Sequence, residues 1–340
     1  MKQDTTIQHD DNSGYKYVFV CGLHRSGTSV LGRNIGRLEN CTGFENMPDS
    51  LPGEGQFLQD VYLPGKKLGG PGRIGFHRRA YQAETSGLLT GENVARLRAS
   101  WHAHWDKSKT ICVEKTPTNL LMTRFLQAAF PNSYFIVIRR HPVPVSLGTQ
   151  RMQNARPTAL HRLFEHWLLC HQIFEKDRNY LKHVYELTYE DYIEDPGRYH
   201  AEIAAFIGTR VQESATEEVH PTRSNKYFDQ WMDLMANSPF KCYYRYIAMK
   251  YEPRFAVHGY SLTNFSPGSV EVCRGNKISA AVGALSCHVA DAYALMLRSL
   301  TWPPLYLKEQ LKAFLPESVV KRIRHARQGP PLSKGKADMV

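Results

Sequence analysis

The chain has 340 residues, 42% of them hydrophobic, and a formal charge of +11. That is enough apolar material for one large α/β domain with an appendage, yet no run approaches the roughly 18 apolar residues that cross a membrane. Seven cysteines, scattered and odd in number, exclude a disulfide framework or zinc site and point to a reducing, cytoplasmic compartment. His102 and His104 read as solvent-facing residues of a helix, and no metal is expected. Part of the positive charge sits in the tail, where eight Lys and Arg residues after Leu305 face three acids. No nucleic-acid-binding motif accompanies it, so an anionic small-molecule ligand accounts for the remainder better than nucleic acid does.

The opening residues, MKQDTTIQHDDNSG, are polar and read as a disordered lead-in over 1–14. Tyr17 to Cys21 then forms a short apolar run typical of a buried parallel strand. Gly22 and Gly27 bracket a tight turn, and Val30, Leu31, Ile35 and Leu38 recur with helical spacing. A strand, a glycine loop and a helix in that order aim backbone N–H groups and the positive end of a helix dipole at one point, where phosphate-like anions bind. A nucleotide-binding P-loop carries lysine after its second glycine, with a hydroxyl for magnesium. Here Thr28 takes that place and the cation lies inside the loop, at Arg25, whose planar fork suits a terminal oxyanion without a metal.

The loop His24-Arg25-Ser26-Gly27-Thr28-Ser29 resembles that of the sulfotransferases that use 3′-phosphoadenosine 5′-phosphosulfate (PAPS). The resemblance implies that these residues cradle the 5′-phosphosulfate. It also implies that the Gly- and Pro-rich stretch after the first helix, Cys41 to Pro71, faces the acceptor and supplies an acidic base, for which Glu54 is the candidate. Residues Ile74 to Lys107 read as mostly helical and able to cover an acceptor pocket, with His77 as an alternative base.

Thr110 to Val113 reads as a second strand, followed by Glu114 and Lys115. Charged residues at the carboxyl end of a parallel strand lie at the ligand crevice of an open α/β sheet. The resemblance makes Lys115 the stabiliser of the departing phosphate, and Glu114 a residue that orients Lys115 or a loop, without excluding it as base. Tyr134 to Ile138 is the third strand, ending in Arg139 and Arg140. In the resembled family an arginine at this end and a serine on the next helix hold the 3′-phosphate. Arg140 and Ser146 are the matching pair, at a shorter interval than usual, which leaves open whether Arg139 or Arg140 faces inward.

Leu160 to Tyr180 reads as a long helix and His183 to Tyr189 as the fourth strand. By the same resemblance Tyr189 contacts the adenine, and Arg223 and Lys226, in HPTRSNKYFDQW, close over the phosphoadenosine. A further apolar helix spans Ala280 to Leu297, and a basic tail follows. The whole reads as an α/β fold with a central parallel sheet flanked by helices, a sulfotransferase domain over 15–265, and a helical extension with basic tail over 266–340. The implied activity moves a sulfuryl group from PAPS, without metal, to a hydroxyl or amine of a small-molecule or carbohydrate acceptor. A P-loop kinase-like phosphotransferase and a non-catalytic phosphoadenosine-binding protein are the alternatives.

Overall fold

Strand β1 (Lys16–Gly22) runs through the middle of the sheet, and its side chains alternate between two cores. Tyr17, Phe19 and Cys21 face one hydrophobic cluster, while Val18 and Val20 face the other. This is the period of two that a strand buried on both faces imposes. The computed structural model describes residues 14–44, 53–152, 158–212, 224–264, 281–297 and 299.

Four further strands join β1: β2 (Cys41–Thr42), β3 (Ile111–Lys115), β4 (Ser133–Arg139) and β5 (Val184–Thr188). The sheet order is β2-β3-β1-β4-β5 and every neighbouring pair is parallel. The register pairs Val20 with Lys115 and Gly22 with Ile138, so the carboxyl ends of three strands converge on one edge. Chain connections leave β1 and its neighbours in opposite directions there, which opens the crevice where ligands of open α/β sheets bind.

Helices cover both faces. Leu31 and Ile35 of α1 (Thr28–Ile35) pack on the Val18 side with Ile203 and Ile207 of α7 (Pro196–Ile207). The Phe19 side takes α2 (Gly91–His102), α3 (Thr123–Ala129), α5 (Leu160–Asp177), α8 (Asn225–Ala236) and α9 (Lys241–Ala256), with Trp101, Phe125, Trp167, Trp231 and Phe255 fully buried. Among the described residues the other α-helices are α4 (Pro142–Met152), α6 (Tyr189–Glu194) and a stretch over 281–297. Among the described residues no helix is long and apolar enough to cross a membrane.

Two segments differ from the sequence reading. The span from Ile74 to Lys107 is helical in earnest only from Gly91, where Thr90 accepts the Asn93 N–H as N-cap. Before it, His77 Nδ1 and Ser86 Oγ accept backbone N–H groups two residues on, local bonds that compete with a helical ladder. The second difference is β2, a two-residue strand hidden in the loop after α1 and recognisable only from its pairing with β3.

Candidate active site

The glycine loop is shaped by two left-handed residues, Arg25 (φ 71°) and Gly27 (φ 100°). Gly27 has a second constraint, since a Cβ there would stand 2.5 Å from the Tyr189 ring. Ser26 is buried and turns back to the Leu23 carbonyl, with its N–H at 3.1 Å and its hydroxyl on the same oxygen, so its side chain braces the loop. Helix α1 begins at Thr28 with no side-chain cap, leaving its first-turn N–H groups for an anion.

The loop borders a cleft of about 460 Å³, whose lining includes His24, Arg25, Thr28, Ser29, Arg33, Glu54, Arg140, Tyr189, Lys226 and Tyr227. The cleft therefore gathers sequence-identified residues from strand ends, loops and a late helix.

Arg140 and Arg139 part company at the end of β4, as successive residues of an extended chain must. Arg139 turns to Glu175 (3.3 Å) and Glu186 (3.8 Å), away from the cleft. Arg140 is only 7% exposed and donates to the Arg25 carbonyl (2.6 Å) and to Ser224 Oγ (2.7 Å), while its guanidinium stacks 3.9 Å from the Tyr189 ring centre. Its Nε is buried with no partner. Burial lowers its pKa, although Tyr189 and Glu190 oppose this. A buried cation held by neutral oxygens at the lining of a cleft is chemically suited to an anionic partner there.

Ser146 is not brought to this arginine. It lines a small void with His24, Thr149 and His166, and its Oγ is buried without a partner. The residue of α4 that meets the loop is Gly148, where a Cβ would lie 3.2 Å from Arg25 Nε. Positions two apart on a helix point to nearly opposite sides, so Ser146 turns to the void beside His24 while Gly148 meets Arg25.

On the acceptor side, Glu54 and Lys115 form an ion pair at 2.9 Å, with side chains 13% and 14% exposed. Gln56 Nε2 donates to the other Glu54 oxygen, and Gln56 Oε1 accepts the Gly65 N–H (2.7 Å). Lys115 is held from below, because Gly32 of α1 approaches it so closely that a Cβ would stand 2.8 Å from Lys115 Cβ. Glu114 faces the other way and is fully buried. It accepts from Gly55 N (2.8 Å), Thr116 Oγ1 and Asn119 Nδ2, and Trp101 Nε1 donates to the Gly55 carbonyl (3.0 Å). Burial pushes Glu114 up to about 7, against the pull of those donors and of Lys115. Its geometry makes it the anchor of the loop that presents Glu54.

His24 stands between cleft and void. Burial takes its pKa down to about 4, with Glu54 opposing and Lys115 assisting, so the ring is neutral at neutral pH. His77 is exposed, caps its own turn through the Arg79 N–H (3.2 Å), and does not line the cleft. Arg223 lies outside the described residues, whereas Lys226 lines the cleft from α8.

Sequence reasoning missed Tyr227, Ser224 and Gly148. Tyr227 is hydrogen-bonded to the Arg25 side chain; burial raises its pKa, but that bond and the charges of Arg25, Lys226 and Arg151 outweigh it and lower the pKa overall. Its only sequence signal was an aromatic beside a lysine. Among the described residues no group of His, Cys, Asp and Glu is arranged to hold a metal ion.

The profile of the sulfotransferase family matches residues 18–213, from β1 through α7. The chain belongs to the sulfotransferase family. Among solved structures, this sulfotransferase is similar at 15% identity to the sulfotransferase domain from the curacin biosynthetic pathway (69% of this chain, 97% of that one, TM-score 0.40). It is similar at 16% identity to sulfotransferase STF1 from Mycobacterium tuberculosis (58% and 69%, TM-score 0.42) and to mouse sulfotransferase SULT7A1 complexed with PAP (66% and 68%, TM-score 0.32). A search of curated proteins gives no match.

Proposed function

We propose that this sulfotransferase moves the sulfuryl group of PAPS to a hydroxyl or amine of a small-molecule or carbohydrate acceptor in a reducing, cytoplasmic setting. The observation that carries the reading is Arg140: a buried guanidinium with only neutral acceptors and an unspent Nε, in the same cleft as a P-loop-like turn whose cation is Arg25. A donor with phosphate at both the 3′ and 5′ positions supplies an anion to each. The scattered cysteines support the compartment.

In this reading the loop N–H groups and Arg25 hold the 5′-phosphosulfate, Arg140 takes the 3′-phosphate, and Tyr189 lies against the adenosine. The acceptor oxygen or nitrogen forms the new bond to sulfur as the bond from sulfur to the bridging oxygen breaks, and 3′-phosphoadenosine 5′-phosphate (PAP) leaves. Lys115 stabilises charge on that bridging oxygen, and Glu54, already aligned by Lys115 and Gln56, accepts the acceptor proton. Lysine and glutamate thus exchange their mutual pairing for one ligand each. His24, neutral beside them, orients without adding charge.

Calorimetry with PAP and with ATP tests the donor. Tight PAP binding without magnesium and weak ATP binding are expected. Magnesium-dependent ATP binding of equal strength overturns the reading in favour of a kinase-like enzyme, and PAP binding without sulfuryl transfer to any of a panel of acceptors favours a non-catalytic binder.

A further inference from the structure

Tyr227, in the first turn of α8, is only 4% exposed, yet it lines the cleft together with Thr28 and Ser29 of the glycine loop. Its hydroxyl is hydrogen-bonded to the Arg25 side chain. Its ring lies 5.2 Å from the Arg151 guanidinium and 5.2 Å from the Lys226 ammonium. Arg151 also donates to Gln230 Oε1 (2.9 Å), which ties α4 to α8 beside the ring. Arg140, at the end of β4, is close enough to interact electrostatically with the phenol. Gly148 of α4 leaves room for the arrangement, since a Cβ there would stand 3.2 Å from Arg25 Nε and 3.4 Å from Tyr227 Oη.

A guanidinium has N–H donors and no acceptor, so in the bond between Arg25 and Tyr227 the phenolic oxygen accepts. The phenolic proton is left for a second acceptor. Set among Arg25, Arg140, Arg151 and Lys226, that acceptor is best an anionic oxygen, which the cations draw into the cleft and to which a hydroxyl donates strongly. We infer that Tyr227 binds the sulfuryl donor, its hydroxyl accepting from Arg25 and donating to an oxygen of the anion that Arg25 grips. The inference rests on the PAPS reading, in which that anion is the 5′-phosphosulfate, or the 5′-phosphate of PAP. Ionisation then matters. Burial opposes ionisation of Tyr227, but the Arg25 bond and the charges of Arg25, Lys226 and Arg151 outweigh it and hold the phenol below its ordinary value of 10. A phenolate has no proton to give and sets a negative charge beside the ligand, so affinity for PAP declines as pH rises towards that value.

The test is calorimetry of the full chain with PAP, adenosine 5′-phosphate and adenosine 3′-phosphate, comparing wild type, Tyr227→Phe and Gly148→Ala from about pH 7 to about pH 9.5. Tyr227→Phe keeps the ring between its cations and removes only the hydroxyl. It weakens PAP and adenosine 5′-phosphate roughly tenfold at the lower pH, and leaves adenosine 3′-phosphate bound as by wild type. Gly148→Ala pushes on Arg25 and Tyr227 together and weakens the same two ligands. Towards the higher pH, wild type loses PAP affinity more steeply than Tyr227→Phe does. Lys226 and the phosphates titrate alike in both proteins, so the difference between the two profiles reports the phenol, which a role in packing alone would not give. Wild type that binds PAP no better than Tyr227→Phe does, at every pH, overturns the inference alone, as does a loss confined to adenosine 3′-phosphate. Wild type that does not bind PAP at all overturns the PAPS reading and the inference with it.

Discussion

Two adjacent arginines with opposite surroundings make the sharpest comparison at the scale of single residues. Arg140→Ala removes a buried, charge-assisted donor set from the cleft and is expected to weaken PAP binding by about 1.5–3 kcal/mol, roughly 10- to 150-fold. Arg139→Ala removes contacts to Glu175 and Glu186 on the other side and leaves PAP affinity near wild type; calorimetry on the two variants reads both outcomes. The base is tested similarly. Glu54→Gln keeps the shape of the loop and is expected to lower turnover by about 10²-fold or more with little change in PAP affinity. His77→Ala, in an exposed turn, should turn over normally with the same acceptor; loss of turnover there and not at Glu54 would move the role to the histidine.

The loop carrying Glu54 and the helix α8 are the elements that assemble the site, and each is held by something remote in sequence. Gly55 is clamped between Glu114 and Trp101, and a Cβ would stand 2.8 Å from atoms of both. Gly55→Ala therefore displaces Glu54, and a fall in turnover with retained PAP binding is the expected result. Glu114 also makes the clamp pH-sensitive. Its folded pKa of about 7 exceeds the ordinary value of 4.5, so the folded state holds the proton more tightly. The resulting stability is fully present below about pH 4.5 and is lost as pH rises through about 7. The half-buried His24 works in the opposite sense, its depressed pKa costing stability as pH falls from 6.5 to about 4. The observable is thus a difference: in urea melts, the stability of wild type relative to Glu114→Gln should decline between about pH 5 and pH 8, and a constant difference would refute the assignment.

For the molecule as a whole, β1 is the shared wall of two cores, and its loop is the floor of the cleft. Phe19 is fully buried, stacked on Phe135 at 5.4 Å and close to Phe130 and Trp101. Phe19→Ala is expected to cost about 3–5 kcal/mol in a denaturant melt. PAP should recover part of that loss, by an amount that grows with the logarithm of its concentration, because a ligand that joins the β1 loop, β4 end and α8 binds only when all three are folded together.

The strand, glycine loop and helix around Arg25, the strands ending at Lys115 and Arg140, and the tyrosine after β5 were legible from the chain alone. Each depends on local physics: period-two apolar runs, glycines where backbone must turn, and strand ends that meet at one edge of a parallel sheet. The sulfotransferase resemblance rested on those same short motifs in order. Tertiary structure alone shows that Arg140 lines the cleft while Arg139 turns to Glu175 and Glu186, since a residue's side of the sheet depends on what packs there. It set Ser146 apart from Arg140 by the rotation of α4, left His77 in solvent, and brought Tyr227 and Ser224 to residues far back in the sequence. Those contacts are made by packed elements, and no local pattern of residues encodes them.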